Sequence, residues 1–310
     1  MTSDAAGERG FIEALRALAH DPAARRLTDD AAVLPMPAAE SLVLTHDMLV
    51  AGVHFLPTDP PGDVAWKLLA VNLSDLAAKG ARPVGVLMGY GLTGDAAWDS
   101  AFVAGLGAAL AAFAVPLLGG DTVAQPAGDS RVLGLTALGA NGAVVPSRGG
   151  ARAGDSLYVT GTIGDAGAGL AIARGEHGAA DLLAAYRRPQ PRLAEGGALA
   201  PLVHAMMDVS DGLLIDAERM AAASGLAVEI DLATIPLSDA LRARGADRPA
   251  RLAAATAGDD YELLFALPPG MLPPVAATRV GRFATGAGLT LVDGDAAVPL
   301  PARLGYLHAG

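Results

Sequence analysis

The chain has 310 residues, 52% of them hydrophobic, with a formal net charge of −11 and no cysteine. That length allows two domains, each with its own core. The charge argues against a nucleic acid or an anionic membrane as partner, and the missing cysteine excludes disulfides and thiolate chemistry and makes a structural zinc site improbable.

Taken in chain order, Glu8 to Ala19 predicts a helix with Phe11, Ile12, Leu15 and Leu18 on one face. Ala31–Leu34 and Leu42–Leu44 predict short strands on either side of a Pro-rich turn. Asp63 to Lys79 predicts a helix, with Asp63 as N-cap and Gly80 as stop. A buried strand is expected over Val84–Leu92, an Ala-rich helix over Asp95–Ala114, and strands over Val115–Leu118 and Arg131–Gly139, with a short extended piece at Ala143–Pro146. The Gly/Arg stretch Ser147 to Gly154 marks a domain junction, dividing the chain into 1–147 and 148–310. Beyond it, strands are predicted at Ser156–Thr160, Val228–Asp231, Glu262–Ala266, Thr278–Phe283 and Leu289–Val292. Helices are predicted at Ala166–Arg174, Leu193–His204 and Leu213–Ala223. Strands alternate with helices in both halves, so the class is α/β or α+β.

Met1-Thr2-Ser3-Asp4 lacks the basic-then-apolar pattern of a signal peptide. No run of about 18 uninterrupted apolar residues occurs; the nearest, Ala101 to Leu118, is broken by Gly105, Gly107 and Pro116. A cytoplasmic location and no membrane contact are therefore expected.

Acidic residues stand in or beside the apolar runs. They are Asp29-Asp30, Asp47, Asp75, Asp121, Asp208 with Asp211, and Asp259-Asp260. Carboxylates at the ends of apolar strands repel one another and are costly to desolvate unless a cation joins them. Hard oxygen ligands suit Mg²⁺, which usually arrives with phosphates, so the chain reads as an Mg-nucleotide enzyme. Each aspartate taken singly has an ordinary use as an N-cap or turn residue.

Other nucleotide motifs fail. A P-loop needs Gly-Lys-Ser/Thr, but Lys67 and Lys79 follow Trp66 and Ala78. Gly89-Tyr90-Gly91-Leu92-Thr93-Gly94 fits the dinucleotide fingerprint formally, but Asp121 lies too far on to serve as its ribose-binding acid. Gly161-Thr162-Ile163-Gly164 reads equally well as an anion-binding helix start and as a plain strand-to-helix turn. The six histidines show no zinc spacing. His54, polar within Val50 to Phe55, reads on its own as a half-buried structural histidine.

Several segments together resemble the thiamine-monophosphate kinase family. This family belongs to the superfamily that also holds aminoimidazole ribonucleotide synthetase, selenophosphate synthetase and the hydrogenase-maturation carbamoyl dehydratase. The segments are Asp29 to Leu34, Asp47 to Phe55, Lys67 to Ala81, Leu118 to Thr122, Tyr158 to Asp165, Asp208 to Leu213 and Gly258 to Leu263. Val-Ala-Gly-Val-His-Phe at 50–55 and Asn-Leu-Ser-Asp-Leu-Ala-Ala at 72–78 are specific to that family; Gly-Gly-Asp at 119–121 and Asp-Val-Ser-Asp-Gly at 208–212 are shared by the superfamily. The absence of cysteine separates the chain from the selenium and hydrogenase branches.

The resemblance implies an aminoimidazole ribonucleotide synthetase-like fold, with an N-terminal mixed sheet that pairs across a homodimer and a C-terminal α/β domain. It implies ATP and thiamine monophosphate as substrates and several Mg²⁺ ions. Asp30, Asp47, Asp75, Asp121 and Asp208 are similar to the ligands of a group of Mg²⁺ ions along the triphosphate. Thr45 and His46 occupy positions that also contact metal, His46 with its backbone carbonyl available for this, and Asp211 resembles the ligand of a further ion. Gly120, Asp121, Arg148 and Ser210 look like ATP contacts, and His54, Asp259 and Tyr306 look like contacts to thiamine monophosphate. Departures from the family pattern are Thr28 for Gly, His46 for Thr or Ser, Asp259 for Glu, and a tail, Gly305 to Gly310, that only partly keeps the aromatic ending. They bear on substrate affinity more than on the reaction.

Phosphoryl transfer asks the protein mainly for positioning and charge neutralisation. The acceptor is itself a phosphate monoester, so no strong general base is needed, and direct transfer without a phospho-enzyme is expected. Two alternatives remain open at this level. One is a superfamily member that activates an amide oxygen with ATP and releases phosphate. The other is a non-catalytic nucleotide-binding paralogue.

Overall fold

The computed structural model describes residues 3–27, 37, 40–126, 128–142 and 144–307. The predicted strand Ala31–Leu34 lies outside them, as do Thr28 and Asp30. The described chain forms two compact units: Met1–Leu76 with Arg82–Gly142, and Ala77–Ala81 with Ala143–Gly310.

The first unit contains α1 (Ser3–Arg16), a 3₁₀ turn at Pro22–Leu27, β1 (Ser41–Val50), α2 (Pro61–Ala78, its last residues grouping with the second unit), β2 (Arg82–Leu92), α3 (Ala96–Phe113), β3 (Leu117–Ala124) and β4 (Val132–Asn141). The four strands make one mixed sheet in the order β1-β4-β2-β3, antiparallel except for the β2/β3 pair. Parallel neighbours need a long crossover, and α3 supplies it. Asp95 caps α3 by accepting the Trp98 N–H at 3.1 Å, and Ala114 ends the helix in the left-handed region. Among the described residues α3 is the one helix long and apolar enough to cross a membrane. Here Phe102, Leu106 and Ala109 on its inner face are fully buried.

Strand alternation divides this sheet sharply. Leu49, Val86, Met88, Tyr90, Leu133, Leu135 and Ala137 point to the buried side. On the other face Leu42, Leu44 and Met48 of β1, Leu87 of β2 and Val123 of β3 are exposed, Leu44 by 61%. Helices α2 and α3 approach closely where a Cβ added to Gly105 would lie 2.2 Å from the Gly62 Cα, so position 105 has no room for a side chain.

The second unit carries β5 (Ser156–Thr160), α4 (Asp165–Ala173), α5 (Ala180–Arg187), α6 (Leu193–Leu199), β6 (Ala205–Asp208), α7 (Leu213–Ser224), β7 (Ala227–Asp231), α8 (Asp239–Arg242), α9 (Arg248–Ala255), β8 (Leu263–Leu267), β9 (Ala277–Ala284), β10 (Gly288–Asp293) and β11 (Ala296–Val298). Among the described residues its seven strands run β11-β10-β7-β9-β5-β8-β6, antiparallel except for the β7/β10 pair. β5 and β8 are buried along their whole length, as central strands covered on both faces must be. One core joins Leu157, Val159, Leu264 and Ala266 to Leu214, Ala217 and Met220 of α7; another places Tyr158, Phe265 and Met206 against Leu199.

The α/β class with two mixed sheets agrees with the sequence reading, and several boundaries differ. β1 runs three residues beyond Asp47, because the alternating pattern continues through Leu49 and Val50. Helix α2 starts at Pro61, whose fixed φ and missing N–H suit the first turn, so Asp63 lies inside that turn and is not the cap. Asp121 sits within β3, not at its end, because the chain stays extended through Gly119 and Gly120 to Ala124. The helix predicted to His204 stops at Leu199, and the short buried strand β6 follows.

Candidate functional site

In the first unit the site begins with the pleat of β1. Thr45 and Asp47 share the face toward α2, and His46 takes the opposite one. From α2, the Asn72 Oδ1 accepts the Asp47 backbone N–H at 3.0 Å, and Asn72 Nδ2 donates to the Leu68 carbonyl at 2.9 Å. One turn further on, Asp75 accepts a short hydrogen bond from the Thr45 hydroxyl. Burial, and then the nearby Asp75 charge, push the Asp47 carboxyl up to about 6. Two half-buried carboxylates side by side, with a hydroxyl beside them, form a hard oxygen set that fits a dication.

His46 does not join this set through its ring. The ring lies over Gly134, with Nδ1 2.9 Å from the Thr136 hydroxyl on the exposed sheet face, so only the backbone of His46 is available on the strand itself. His54 closes the turn after β1: its Nδ1 accepts the Val50 N–H at 3.0 Å, and its carbonyl accepts from the buried Lys67 at 3.1 Å. Asp121 is exposed and, through the register β4/β2/β3, shares its face with Gly89, Gly134 and Met48. That is the face opposite Asp47. With β1 and β3 at the two edges of the sheet, the strand spacing separates them by roughly 14 Å. Gly120 is required by space, since a Cβ there would lie 2.0 Å from the Met88 carbonyl oxygen. Among the described residues no group of three or more His, Asp or Glu side chains is assembled for a metal. Backbone carbonyls, water and phosphate oxygens commonly complete Mg²⁺ shells.

In the second unit the loop after β6 and the loop before β8 hold each other. Val209 N–H donates to the Glu262 carbonyl at 2.8 Å, Tyr261 N–H to the Val209 carbonyl at 2.8 Å, and Asp259 N–H to the Ser210 carbonyl at 2.7 Å. Asp259 and Tyr261 take left-handed backbone angles, φ 64° and 52°, uncommon for residues with a Cβ. The Tyr261 hydroxyl donates to Asp259 Oδ1 at 3.1 Å. Asp208 is buried at the end of β6. Asp211 is fixed at its carbonyl by the Tyr306 N–H at 2.8 Å, and its carboxylate meets Arg219. Arg148 is exposed on a segment whose Ser147 carbonyl accepts the Met206 N–H at 3.0 Å.

The Gly161–Gly164 turn resolves against the anion reading. The Ile163 N–H donates to the Pro236 carbonyl and the Gly164 N–H to Asp260, both at 2.9 Å, so these amides already have acceptors within the protein. The Thr162 and Ser238 hydroxyls, each at 2.7 Å, donate to Asp165. Gly89 and Gly91 lie inside β2, which removes the dinucleotide fingerprint as well.

Sequence reasoning missed four supports. Asn72 orients β1 against α2. Glu262 is buried and takes Arg192 at 2.7 and 2.5 Å and the Thr160 hydroxyl at 2.6 Å. Asp260 is half-buried with one carboxylate oxygen enclosed and unpartnered, and desolvation pushes its carboxyl well above the usual carboxylate range. Asp216, wholly buried, accepts the N–H groups of Ser210 and Asp211 at 3.1 and 3.0 Å. Asn72, Asp260 and Glu262 stood inside the diagnostic segments, but nothing in their spacing marked them as supports.

Comparison with known proteins places this architecture. Residues 28–141 match the model of AIR synthase related protein, N-terminal domain, and residues 152–297 that of the C-terminal domain. The thiamine-monophosphate kinase of Caulobacter vibrioides is 41% identical over 307 residues, covering 93% of this chain and 86% of that protein. The crystal structure of thiamine-monophosphate kinase from Stenotrophomonas maltophilia superposes with a TM-score of 0.81 at 37% identity, covering 92% of this chain and 95% of that one. A structure of AaThiL complexed with AMPPCP and TMP superposes with a TM-score of 0.77 at 29% identity over 99% of both chains. The chain therefore belongs to the thiamine-monophosphate kinase family, built from the two AIR synthase related domains.

Proposed function

We propose that the protein phosphorylates thiamine monophosphate with ATP, giving thiamine diphosphate and ADP. The observation that carries this reading is a match to thiamine-monophosphate kinase over 93% of the chain. The Asp47–Asp75 pair, with Asp47 raised to about 6, supplies a chemistry consistent with it. In this reading Asp30, Thr45, the His46 backbone, Asp47, Asp75, Asp121, Asp208 and Asp211 hold Mg²⁺. Gly120, Asp121, Arg148 and Ser210 hold ATP, and His54, Asp259 and Tyr306 hold thiamine monophosphate. Residues 1–147 serve ATP, metal and dimerisation, and 148–310 form the second domain. Bound Mg²⁺ would offset the charges of donor and acceptor phosphates. The protein's own part is to align the acceptor phosphate with the γ-phosphorus and exclude water, so no side chain is assigned as a general base.

The exposed apolar face of the first sheet supports a homodimer. Five large hydrophobics on one uncovered sheet face make a patch that a monomer in water rarely leaves bare. A cytoplasmic location completes the reading. The test is ADP release measured with ATP and Mg²⁺, with and without thiamine monophosphate. Release that depends on thiamine monophosphate is expected; release indifferent to it would refute the proposal.

A further inference from the structure

We infer that Arg219 is a built-in counter-cation for Asp211, one that occupies this carboxylate in the resting protein and holds metal away from it. The inference rests on the reading of Asp211 as a metal ligand. Arg219 Nη1 lies 2.5 Å from Asp211 Oδ2 and 2.9 Å from Asp216 Oδ1. Arg219 follows Asp216 by three residues on α7, so both project from one helix face. Asp216 is wholly buried, and its other oxygen is spent on the Ser210 and Asp211 N–H groups. Asp211 is thus pinned at its N–H by Asp216, at its carbonyl by the Tyr306 N–H, and at its carboxylate by Arg219.

The electrostatics run the same way. An arginine guanidinium stays charged at any ordinary pH, and the charge-assisted hydrogen bonds it makes to Asp211 and Asp216 are among the stronger polar contacts a protein makes. A dication that takes Asp211 Oδ2 must displace Arg219 there, and one at the other oxygen meets its charge at close range; if Arg219 is displaced, Asp216 must bear the loss of its cation.

Mn²⁺ titration without nucleotide or substrate, read by electron paramagnetic resonance and calorimetry, tests this apart from catalysis. Arg219→Gln is expected to bind Mn²⁺ about tenfold more tightly at one site, or to gain one equivalent. Adding Asp211→Asn to that variant should remove the gain. Arg219→Lys, which keeps a cation beside Asp211, should bind Mn²⁺ as the unaltered protein does, and Arg219→Ala, expected to show the same gain as Arg219→Gln, decides the matter if Arg219→Gln fails to fold. Superimposable isotherms for the charge-removing variants and the unaltered protein, a gain that survives Asp211→Asn, or an equal gain in Arg219→Lys would each overturn it. Turnover of the unaltered protein, assayed separately, shows whether the kinase reading itself has failed.

Discussion

At the scale of single residues, Asp47 links stability to function. Its folded carboxyl, at about 6, lies above its ordinary unfolded value, so the native state binds this proton more tightly. The associated stability is present in full below about pH 4 and is lost as pH rises through 6. At pH 8 and without divalent metal, Asp47→Asn should therefore melt a few degrees higher, on the order of 1–2 kcal/mol after allowing for solvent screening, with no gain near pH 4. Turnover should nonetheless fall a hundredfold or more if Asp47 holds metal as proposed, because that ligand charge is gone. Calorimetric melts at both pH values, beside steady-state rates, check this; unchanged turnover would make Asp47 an ordinary strand residue. Asp259→Glu should lower the KM for thiamine monophosphate and leave that for ATP alone, since the longer carboxylate reaches further from the same loop. If both KM values stay put, Asp259 leaves the substrate set. Asp47 and Asp75 stood out in the sequence because an acid inside or beside an apolar run is costly and invites an explanation, whereas Asp259 was assigned only through the family resemblance. Asp216 and Arg219 were not, because an acid and a base three apart look like any solvent-exposed helix pair until burial is known.

At the scale of elements, β1 does two jobs through one alternation. Thr45 and Asp47 face α2, and Leu42, Leu44 and Met48 face outward. The sequence showed the strand but not its length: it predicts the strand only over Leu42–Leu44, because the polar Thr45, His46 and Asp47 mask an alternation that continues to Val50. Gly119-Gly120 hid the end of β3 in the same way: glycines resemble a turn, yet Gly120 is demanded here by the close approach of the β2 backbone. Gly120→Ala should cost about 2–3 kcal/mol, seen as a lower melting temperature, because the added methyl meets a carbonyl that the parallel pairing holds in place. The outward face makes its own prediction. Leu44→Asp should convert a dimer to a monomer in sedimentation equilibrium, since a buried unpaired charge opposes association. A variant as dimeric as its parent would place the interface elsewhere.

At the scale of the molecule, the two-part α/β plan followed from length and from strands alternating with helices. Strand order did not, because the seven-stranded sheet joins segments as far apart as β5 and β9, and β6 and β8, which no local pattern specifies. The proposed metal chemistry likewise draws on residues spread along the whole chain. The acidic positions outnumber what one Mg-ATP satisfies, so activity should keep rising as Mg²⁺ is raised beyond the ATP concentration. Saturation at equimolar Mg²⁺ would argue for a single ion. The central claim is direct phosphoryl transfer to thiamine monophosphate, and the fate of the transferred group tests it. With ATP labelled at the γ-phosphate, Mg²⁺ and thiamine monophosphate, label is predicted in thiamine diphosphate, in step with ADP and with none in inorganic phosphate beyond background; label recovered as inorganic phosphate, with no labelled thiamine diphosphate, would contradict it.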